Sequence, residues 1–244
     1  MEQKFIQIFD GLKRDYGYAE VSNGYKDSTT GKFKVKHGWA GKQLTDTDYI
    51  QHLNGEKSIG IQPCDDNGMV SFGAIDIDSK AYQNFSPRKY LEIIEKNNLP
   101  VIPVKSKSGG LHLYVHTKDK VKASFLRNFL DKLLYTLELN PTTEIYPKQT
   151  ELGTGPDGSF TNGNFINLPY YNKTERVALN LDGTEFKFDQ YVQVVEANRK
   201  TEQQLNEFID EHIRTILTGG AEEFVDGPPC LQAISKTIDD SNKL

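Results

Sequence analysis

Two aspartates stand two residues apart in the apolar run GAIDID at residues 73–78. Because side chains alternate faces along a β-strand, Asp76 and Asp78 are expected on one face, about 7 Å apart, while the glycine and the isoleucines face the core. Like charges on one face repel each other, and a cation between them relieves that repulsion. Carboxylate oxygens are hard ligands, which suit Mg²⁺ or Mn²⁺ rather than zinc. The pair predicts a divalent-metal site, with a solvated strand face as the alternative that a short motif leaves open.

A second group of polar residues joins two apolar runs in the segment KSKSGGLHLYV at residues 105–115. Its Ser/Gly centre predicts a β-hairpin, with His112 and Tyr114 on the opposite face of the return strand from its leucines. Glycines permit positive φ and close backbone approach, so the amides of Gly109 and Gly110 could converge on an anion. A structural role is the alternative for the histidine. The predicted phosphate-binding residues of the hairpin are Ser106, Ser108, Gly109 and His112.

A third carboxylate, Glu144, lies in a short run at residues 142–146 that predicts a strand ended by Pro147. Ile145 is expected to face the core, which directs Glu144 away from the packed face. One more carboxylate would complete a three-acid metal site, and Lys148 just beyond it is placed to meet phosphate. Glu144 matters because of the order along the chain: paired aspartates, a Ser/Gly-His hairpin, a helix and then an acidic strand.

The composition is that of a soluble globular protein, with 26% charged and 36% hydrophobic residues among 244 and a net charge of −5. No apolar run approaches the roughly 20 residues that span a bilayer, and the N-terminus carries no secretory signal, so we expect no membrane partner. The two cysteines, Cys64 and Cys230, lie far apart in the sequence. We therefore expect a reducing, cytoplasmic compartment, no disulfide framework and no zinc site.

The negative net charge argues against a purely electrostatic nucleic-acid binder, because phosphate contacts require clustered lysine and arginine. A local basic patch is expected at residues 23–43, which are rich in Gly, Lys, Ser and Thr and surround the single tryptophan. We interpret this segment as a loop or hairpin that meets an anionic partner, with a solvated loop anchored by the tryptophan as the alternative. Its candidate template-binding residues are Lys36, Trp39 and Lys42.

Hydrophobic periodicity and turn residues predict a mixed order of helices and strands. The clearest helix covers residues 123–139, where apolar residues recur at a spacing of three or four, a pattern typical of a core-facing helix. N-cap residues begin three of the other helices. The predicted helices are 4–16, 45–53, 86–97, 123–139 and 201–217. The predicted strands are 59–62, 73–78, 101–104, 111–115, 142–146 and 164–168.

In this order the motifs resemble those of the catalytic domain of the archaeo-eukaryotic primase superfamily, the primase-polymerases. Asp76 with Asp78 matches the paired-aspartate strand of that family, GLH at 110–112 its small-x-His strand, and Glu144 its third acidic strand. Flanking stretches resemble bacterial and phage members, among them the primase domains of TOTE conflict systems. These stretches are HLNG at 52–55, IGI at 59–61, IYPKQ at 145–149 and GNFINLP at 163–169.

The resemblance covers about residues 36–170. It departs from the family in having Glu144 where many relatives have aspartate, which still offers metal ligands with a longer reach. It also lacks the cysteine pairs that some members use for zinc.

The resemblance implies an α+β fold, with an N-terminal α/β half packed on an RRM-like mixed sheet and a C-terminal helical segment. It implies a DNA primase-polymerase, in which Asp76, Asp78 and Glu144 hold two Mg²⁺ or Mn²⁺ ions for template-directed nucleotidyl transfer on single-stranded DNA. The other reactants would be a primer and ribo- or deoxyribonucleoside triphosphates. The residues that would hold the triphosphate are Ser106, Ser108, His112 and Lys148.

The predicted domains are a catalytic domain at 1–190, a helix at 191–218, and a linker or the start of a further module at 219–244. The run GPPCL at 227–231 resembles the lead into the C-terminal module of phage primase-helicases. We therefore expect the N-terminal part of a longer phage or plasmid replication protein, with a helicase module as its partner in the full-length chain.

Two other functions stay open: a catalytically inactive nucleic-acid-binding module with a primase-like fold, and a metal-dependent replication-initiator endonuclease. The endonuclease chemistry needs a His-x-His metal pair and a nucleophilic tyrosine on a helix, whereas the segment HLY at 112–114 offers one histidine. The presence of three acids and His112 argues against an inactive module. The residues leave open whether Tyr114, Tyr146 or neither excludes a ribose 2′-hydroxyl.

Overall fold

The computed structural model of the chain describes residues 1–20, 25–26, 28, 33–34, 36–172, 174 and 176–219, with side chains as far as residue 211 except those of residues 25, 26, 33 and 34. This part is an α+β protein with ten strands and six helices. The chain divides into two compact units, Met1–Glu202 and Gln203–Leu244. Among the described helices, none combines the length and the apolar character needed to cross a membrane.

Helices and strands alternate along most of the chain. The strands are β1 (Gly17–Ala19), β2 (Tyr25–Lys26), β3 (Phe33–Lys34), β4 (His37–Trp39), β5 (Ser58–Ile61), β6 (Met69–Ile77), β7 (Ile102–Lys105), β8 (Leu111–Lys122), β9 (Glu144–Tyr146) and β10 (Ile166–Asn167). The helices are α1 (Glu2–Ile8), α2 (Asp46–Leu53), α3 (Pro87–Lys96), α4 (Ala123–Thr136), α5 (Phe188–Asn198) and α6 (Glu202–Gly219). The first sheet has the order β10-β5-β1-β4, β2 pairs with β3, and the second sheet has the order β7-β8-β6-β9.

The second sheet carries the candidate site residues, and each of its strand pairs is antiparallel. The α+β fold is confirmed, but the prediction of a mixed sheet is wrong on this point. Helix α4 connects β8 to β9, which run in the same direction, and β6 lies between them and antiparallel to both. No two neighbouring strands of this sheet are therefore parallel.

Helix α4 covers one face of the second sheet with its apolar stripe. Gly73 on β6 permits the close contact, because a Cβ there would lie 2.9 Å from Leu130 and 3.0 Å from Leu126. Complete burial of a leucine or phenylalanine side chain stabilises a fold by roughly 1.5–3 kcal/mol, so this stripe is a large part of the core. The predicted stripe is buried throughout: Leu126, Phe129, Leu130, Leu133, Leu134 and Leu137.

The opposite face of the second sheet is buried against an aromatic cluster. The rings of Phe72, Tyr114 and His116 lie around Phe9, with centroid distances of 5.1, 5.5 and 5.4 Å from it. With both faces covered, each residue of β6 from Val70 to Ile77 is buried except Asp76. A strand of this kind can carry a charged side chain only near its end, and Asp76 is its penultimate residue.

The first predicted helix is too long, because α1 ends at Ile8 rather than at residue 16. The chain next passes close to the end of β5, where a Cβ on Gly11 would lie 2.3 Å from the carbonyl oxygen of Gln62. The amide of Leu12 donates to the same oxygen at 2.9 Å. Gly17 begins β1 and does not end a helix. This backbone contact replaces the helical hydrogen bonds that the periodicity predicts.

Most other predicted elements are present within a few residues of the expected bounds. Ser86 caps α3 with Pro87 at the first helical position, and the capping box of Thr45 and Asp48 begins α2. The residues predicted as one helix at 191–218 belong to two helices, α5 and α6, and residue 190, the predicted end of the catalytic domain, lies inside α5. The predicted linker at 219–244 lies, beyond Gly219, outside the described residues.

Three of the described histidines are buried, His52, His112 and His116, and two of them lie away from the site residues. His52 accepts a hydrogen bond at Nδ1 from the amide of Ile59 (3.1 Å) and donates one from Nε2 to the carbonyl oxygen of Pro169 (2.8 Å). Burial lowers its pKa to about 3, and the positive charge of Arg176 adds to the shift. His116 lies inside the aromatic cluster, where burial lowers its pKa to about 3. Both side chains are therefore neutral in the folded protein at neutral pH.

The free energy of unfolding should fall between pH 7 and pH 5, because unfolding lets His52 and His116 take up protons near their ordinary pKa of about 6.5. A depressed folded-state pKa contributes stability above the unfolded pKa, and that contribution is lost as the pH falls toward the folded value. The loss over these two pH units is about 2 kcal/mol for each histidine. His52→Gln should show a shallower pH dependence than wild type in urea unfolding at pH 7 and pH 5. His37→Gln, at an exposed position, is the control, and equal slopes for wild type and His52→Gln would contradict the assignment.

Candidate active site

The register of the second sheet places three candidate site residues side by side. Asp76 on β6 is directly opposite His112 on β8 and directly opposite Glu144 on β9. Neighbouring strands lie about 4.8 Å apart, and directly opposite residues share a face. The His112 Nε2 atom is 3.4 Å from the Asp76 Oδ1 atom. The sheet thus gathers into one row residues that three separate stretches of sequence supply.

Asp78 lies one residue beyond the end of β6 and not on the strand itself, which corrects the predicted strand bounds. Its side chain caps the short 3₁₀ helix Ser79–Ala81 and accepts a hydrogen bond from the amide of Lys80 at 3.0 Å. The backbone of Asp78 is still extended, so its exposed carboxylate lines the same cleft as Asp76 and Glu144. The two aspartates therefore face one cleft although only one belongs to the strand.

The Glu144 carboxylate is held by two neighbours. Lys148 Nζ lies 2.7 Å from its Oε1 atom, and the Tyr146 hydroxyl donates to its Oε2 atom at 3.3 Å. In the described part of the chain, no three His, Cys, Asp or Glu side chains are gathered tightly enough to hold a metal ion as they stand. The donor chemistry nevertheless fits Mg²⁺ or Mn²⁺, since three carboxylates line one open cleft. A cation bound there would compete with Lys148 for the Glu144 carboxylate.

The predicted anion-binding arrangement of glycine amides is not formed in the hairpin turn. The Gly109 amide donates to the carbonyl oxygen of Ser106 at 3.2 Å, and the Gly110 amide donates to the Ser106 hydroxyl at 3.0 Å. Ser106 is buried, and its hydroxyl is 3.1 Å from that of Ser108, which is exposed. These donors are therefore bonded within the turn. Of the two serine hydroxyls, that of Ser108 faces solvent.

Gly110 lies where the hairpin turn packs against the end of β6. A Cβ at this position would lie 2.1 Å from the carbonyl oxygen of Ile77 and 3.1 Å from the amide nitrogen of Ser79. The hairpin and the segment that carries Asp78 therefore touch through backbone atoms, which leaves no room for a side chain.

Neither tyrosine considered as a barrier to a ribose hydroxyl is freely accessible. Tyr114 is completely buried, and its hydroxyl donates to the carbonyl oxygen of Asn167 at 3.2 Å. Tyr146 is 8% exposed and its hydroxyl bonds Glu144. The tyrosine that lines the cleft is Tyr82, which follows the 3₁₀ helix after Asp78.

The three candidate template-binding residues lie on or beside β4, in a different sheet from the carboxylates. Lys36 Nζ is 3.4 Å from the carboxylate of Glu20, and Lys42 Nζ is 3.4 Å from that of Asp48. The Trp39 ring meets the Phe165 ring edge to face at 5.2 Å. Lys32, within the same predicted basic segment, lies outside the described residues. The structure therefore does not bring these residues together with the acidic row.

Sequence reasoning missed Arg176, which is 2% exposed. Its guanidinium donates to the Ser58 hydroxyl at 2.7 Å and to the Thr174 hydroxyl at 3.0 Å, and its Nη1 atom has no hydrogen-bond partner. Burial lowers its pKa to about 10. No carboxylate of the described residues forms an ion pair with it, so its charge is left without a counter-charge there.

Arg176 shares a sheet face with the acidic row. Val104 on β7 is opposite both His112 and Ala178, so Ala178 extends the row by one strand, and Arg176 stands two residues before it. Burial, followed by the charge of Arg176, lowers the pKa of Lys107 in the hairpin turn. Lys107 and Arg176 therefore both lie on the hairpin side of the site.

A cleft of about 320 Å³ opens beside Asp76, on the side away from the hairpin. It lies where β6 ends and β9 begins. Its lining residues are Asp76, Asp78, Ala81, Tyr82, Gln83, Asn140, Thr142, Thr143 and Glu144.

Residues 8–213 match the family model described as the archaeo-eukaryotic primase domain of TOTE conflict systems. The match covers well over half of the chain, and the chain belongs to this family, as its motifs predict. No curated protein matches the chain.

The solved structures that match the chain include those of two primases. The archaeo-eukaryotic primase domain of the cyanophage S-2L primase-polymerase is 15% identical over 78% of this chain and 94% of its own, with a TM-score of 0.40. Primase RepB′ is 10% identical over 89% of this chain and 65% of its own, with a TM-score of 0.34. The catalytic domain of RepB′ in complex with initiator DNA is 10% identical over 87% of this chain and 95% of its own, also with a TM-score of 0.34.

Gly110→Ala should destabilise the protein by roughly 1–3 kcal/mol, because the added methyl group meets backbone atoms that cannot rotate away. Urea unfolding measures the loss. Gly153→Ala is the matched control, since a Cβ on Gly153 has nothing within 4 Å. Equal stability of the two variants would mean that the hairpin does not rest on β6 as described.

Proposed function

We propose that this chain is a DNA primase-polymerase that transfers nucleotidyl groups to a 3′-hydroxyl under the direction of a single-stranded DNA template. The observation that carries the proposal is the row of His112, Asp76 and Glu144 on neighbouring strands, with Asp78 at the same cleft. Membership of a primase-domain family supports it. We also propose that Lys36, Trp39 and Lys42 contact the template, and that the full-length protein carries a helicase module.

Asp76, Asp78 and Glu144 would hold two Mg²⁺ or Mn²⁺ ions. When bound, these ions neutralise the charge of the triphosphate and of the attacking oxygen. Lys148, which pairs with Glu144 in their absence, would then be free to contact phosphate. The same lysine therefore stabilises the carboxylate before the substrates bind and the nucleotide afterwards.

The triphosphate would lie on the hairpin side of Asp76. His112 stands next to Asp76 in the row, and the Ser108 hydroxyl and the Lys107 ammonium lie in the adjoining turn. Arg176 supports this placement, because its buried guanidinium has a donor without a partner and no carboxylate counter-charge among the described residues. A bound phosphate group would supply both, since a charge-assisted bond stabilises a buried cation that is otherwise costly.

Asp76→Asn should lower template-directed incorporation by at least about a hundredfold, since carboxylate-held ions contribute several kcal/mol of charge stabilisation. Thermal stability should be equal or higher, because one of three neighbouring negative charges is removed. The assay is incubation with a primed single-stranded template, labelled nucleotides and Mn²⁺ or Mg²⁺.

Asp119→Asn, at an exposed position of β8, is the matched control for that experiment. Extension by wild type is the expected product. Retention of DNA without extension would indicate an inactive binding module, and cleavage would indicate a nuclease. Near-normal synthesis by Asp76→Asn would remove the basis of the metal assignment.

His112→Ala and Arg176→Gln should each lower kcat/KM for the nucleotide about tenfold to a hundredfold, the effect of one lost hydrogen bond to a charged group. Template affinity, measured by anisotropy without nucleotide, should barely change. Arg176→Gln should weaken triphosphate binding more than monophosphate binding.

Arg199→Gln controls for the loss of a half-buried guanidinium elsewhere in the protein. If the His112 and Arg176 variants bind nucleotide normally but melt much earlier than wild type, both residues are structural, and the phosphate assignment fails.

A further inference from the structure

One wall of the cleft beside Asp76 and Glu144 has no part in the function proposed above. One part of it comes from the end of the 3₁₀ helix, through Tyr82 and Gln83, and the other from the loop between α4 and β9, through Asn140 and Thr142. In the sheet order, β8 with the hairpin lies on one side of β6, and β9 with this loop lies on the other. The wall and the hairpin therefore flank Asp76 from opposite sides.

The two flanks differ in charge. Lys107 lies in the hairpin turn, and Arg176 lies in the segment that pairs with β7 through Val104 and Ala178. The cleft is lined by three carboxylates and by neutral side chains, and none of its lining residues is a lysine or an arginine. Lys148 stands beside it, paired with the Glu144 carboxylate. The proposed ions would neutralise the carboxylates, and the rest of the lining offers a triphosphate no cationic side chain. Its hydroxyl and amide groups suit the sugar and base of a nucleoside.

Tyr82 is fixed across the wall. Its hydroxyl lies 2.5 Å from the Thr143 hydroxyl and accepts a hydrogen bond from the backbone amide of Asn140 at 3.2 Å. The side chain of Asn140 in turn accepts hydrogen bonds from the amide and hydroxyl of Thr142, at 2.9 and 2.8 Å. A half-exposed aromatic ring held in this way is a preorganised surface for a sugar or a base.

The stereochemistry of the proposed reaction assigns an occupant to this cleft. In phosphoryl transfer the attacking and leaving oxygens lie roughly in line through the reacting phosphorus. With the leaving pyrophosphate on the hairpin flank, the attacking hydroxyl must approach from the cleft flank. The 3′-oxygen then forms the bond to the α-phosphorus, the bond to pyrophosphate breaks with its electron pair on pyrophosphate, and the hydroxyl proton passes to water.

We propose that this cleft binds the 3′-terminal nucleoside of the primer strand, with Tyr82 as the residue that positions it. The inference rests on the proposed function and adds to it the direction in which the two reactants lie. It predicts that the wall affects the primer, whereas the hairpin affects the nucleotide.

Tyr82→Ala should raise KM for a primed template about tenfold at saturating nucleotide, in the range of one lost base-stacking contact. KM for the nucleotide at saturating primer should stay the same. Tyr82→Phe keeps the ring and loses its hydrogen bonds, so its effect should be smaller. Tyr135→Ala, an exposed tyrosine on α4 outside the cleft, is the matched control.

A binding measurement without metal or nucleotide tests the same point independently of chemistry. Wild type should bind a template carrying a recessed primer end more tightly than the same template without primer, and Tyr82→Ala should lose that preference while binding single-stranded template normally. A primer ending in an abasic nucleotide should weaken wild type but not Tyr82→Ala.

The outcomes separate this inference from the proposed function. A raised nucleotide KM with an unchanged primer KM would place the nucleotide in the cleft and overturn the inference while the polymerase function stands. Unchanged values for both substrates, or a wild type without preference for the primed template, would also overturn it. Failure of wild type to extend any primer would instead count against the proposed function, and the binding measurement would still decide whether the cleft receives a primer end.

Discussion

The antiparallel register of the second sheet is the constraint on which the site depends. β6 lies between β8 and β9, and both of its faces are covered, so apolar side chains fill the sheet up to the row of Asp76. Because side chains alternate with a period of two, a slip of one residue would exchange Asp76 with Ile75 or Ile77. Burying an unpaired carboxylate costs several kcal/mol. The hydrophobic pattern of β6 therefore fixes where its charge stands, and the register then fixes that His112 and Glu144 stand beside it.

The loops that connect the strands determine which charged residues lie on each side of Asp76. The turn between β7 and β8 brings Lys107 to one side, and the segment that pairs with β7 brings Arg176 to the same side. Apart from Asp78, the side chains that the loops after β6 and before β9 supply to the cleft on the other side are neutral. In the proposed reaction this asymmetry separates the anionic triphosphate from the terminal nucleoside of the primer. The direction of the reaction would then follow from the sheet topology.

Local patterns predicted the parts of the fold that depend on local interactions. The stripe of α4, the caps of α2 and α3, the Ser/Gly hairpin and the alternation along β6 are present because each arises from residues within a turn or two of each other. The patterns failed where backbone amides bind acceptors that the patterns do not indicate. Contact between Gly11 and Gln62 ends α1 early, and hydrogen bonds inside the turn occupy the amides of Gly109 and Gly110. Each failure has the same cause, since a backbone donor binds whichever acceptor the fold brings nearest.

The sequence by itself determined the order and type of the candidate residues Asp76, Asp78, His112 and Glu144, and the family to which the chain belongs. Residue types and spacing suffice for this, because alternation along a strand and turn chemistry are local. Only the tertiary structure decided that Asp76 and Glu144 are direct cross-strand neighbours and that Arg176 lies buried on the same face. It also decided that Tyr82, and neither Tyr114 nor Tyr146, lines the cleft. These relations join residues tens of positions apart, and burial, strand pairing and the loss of a counter-charge exist only once the chain has packed.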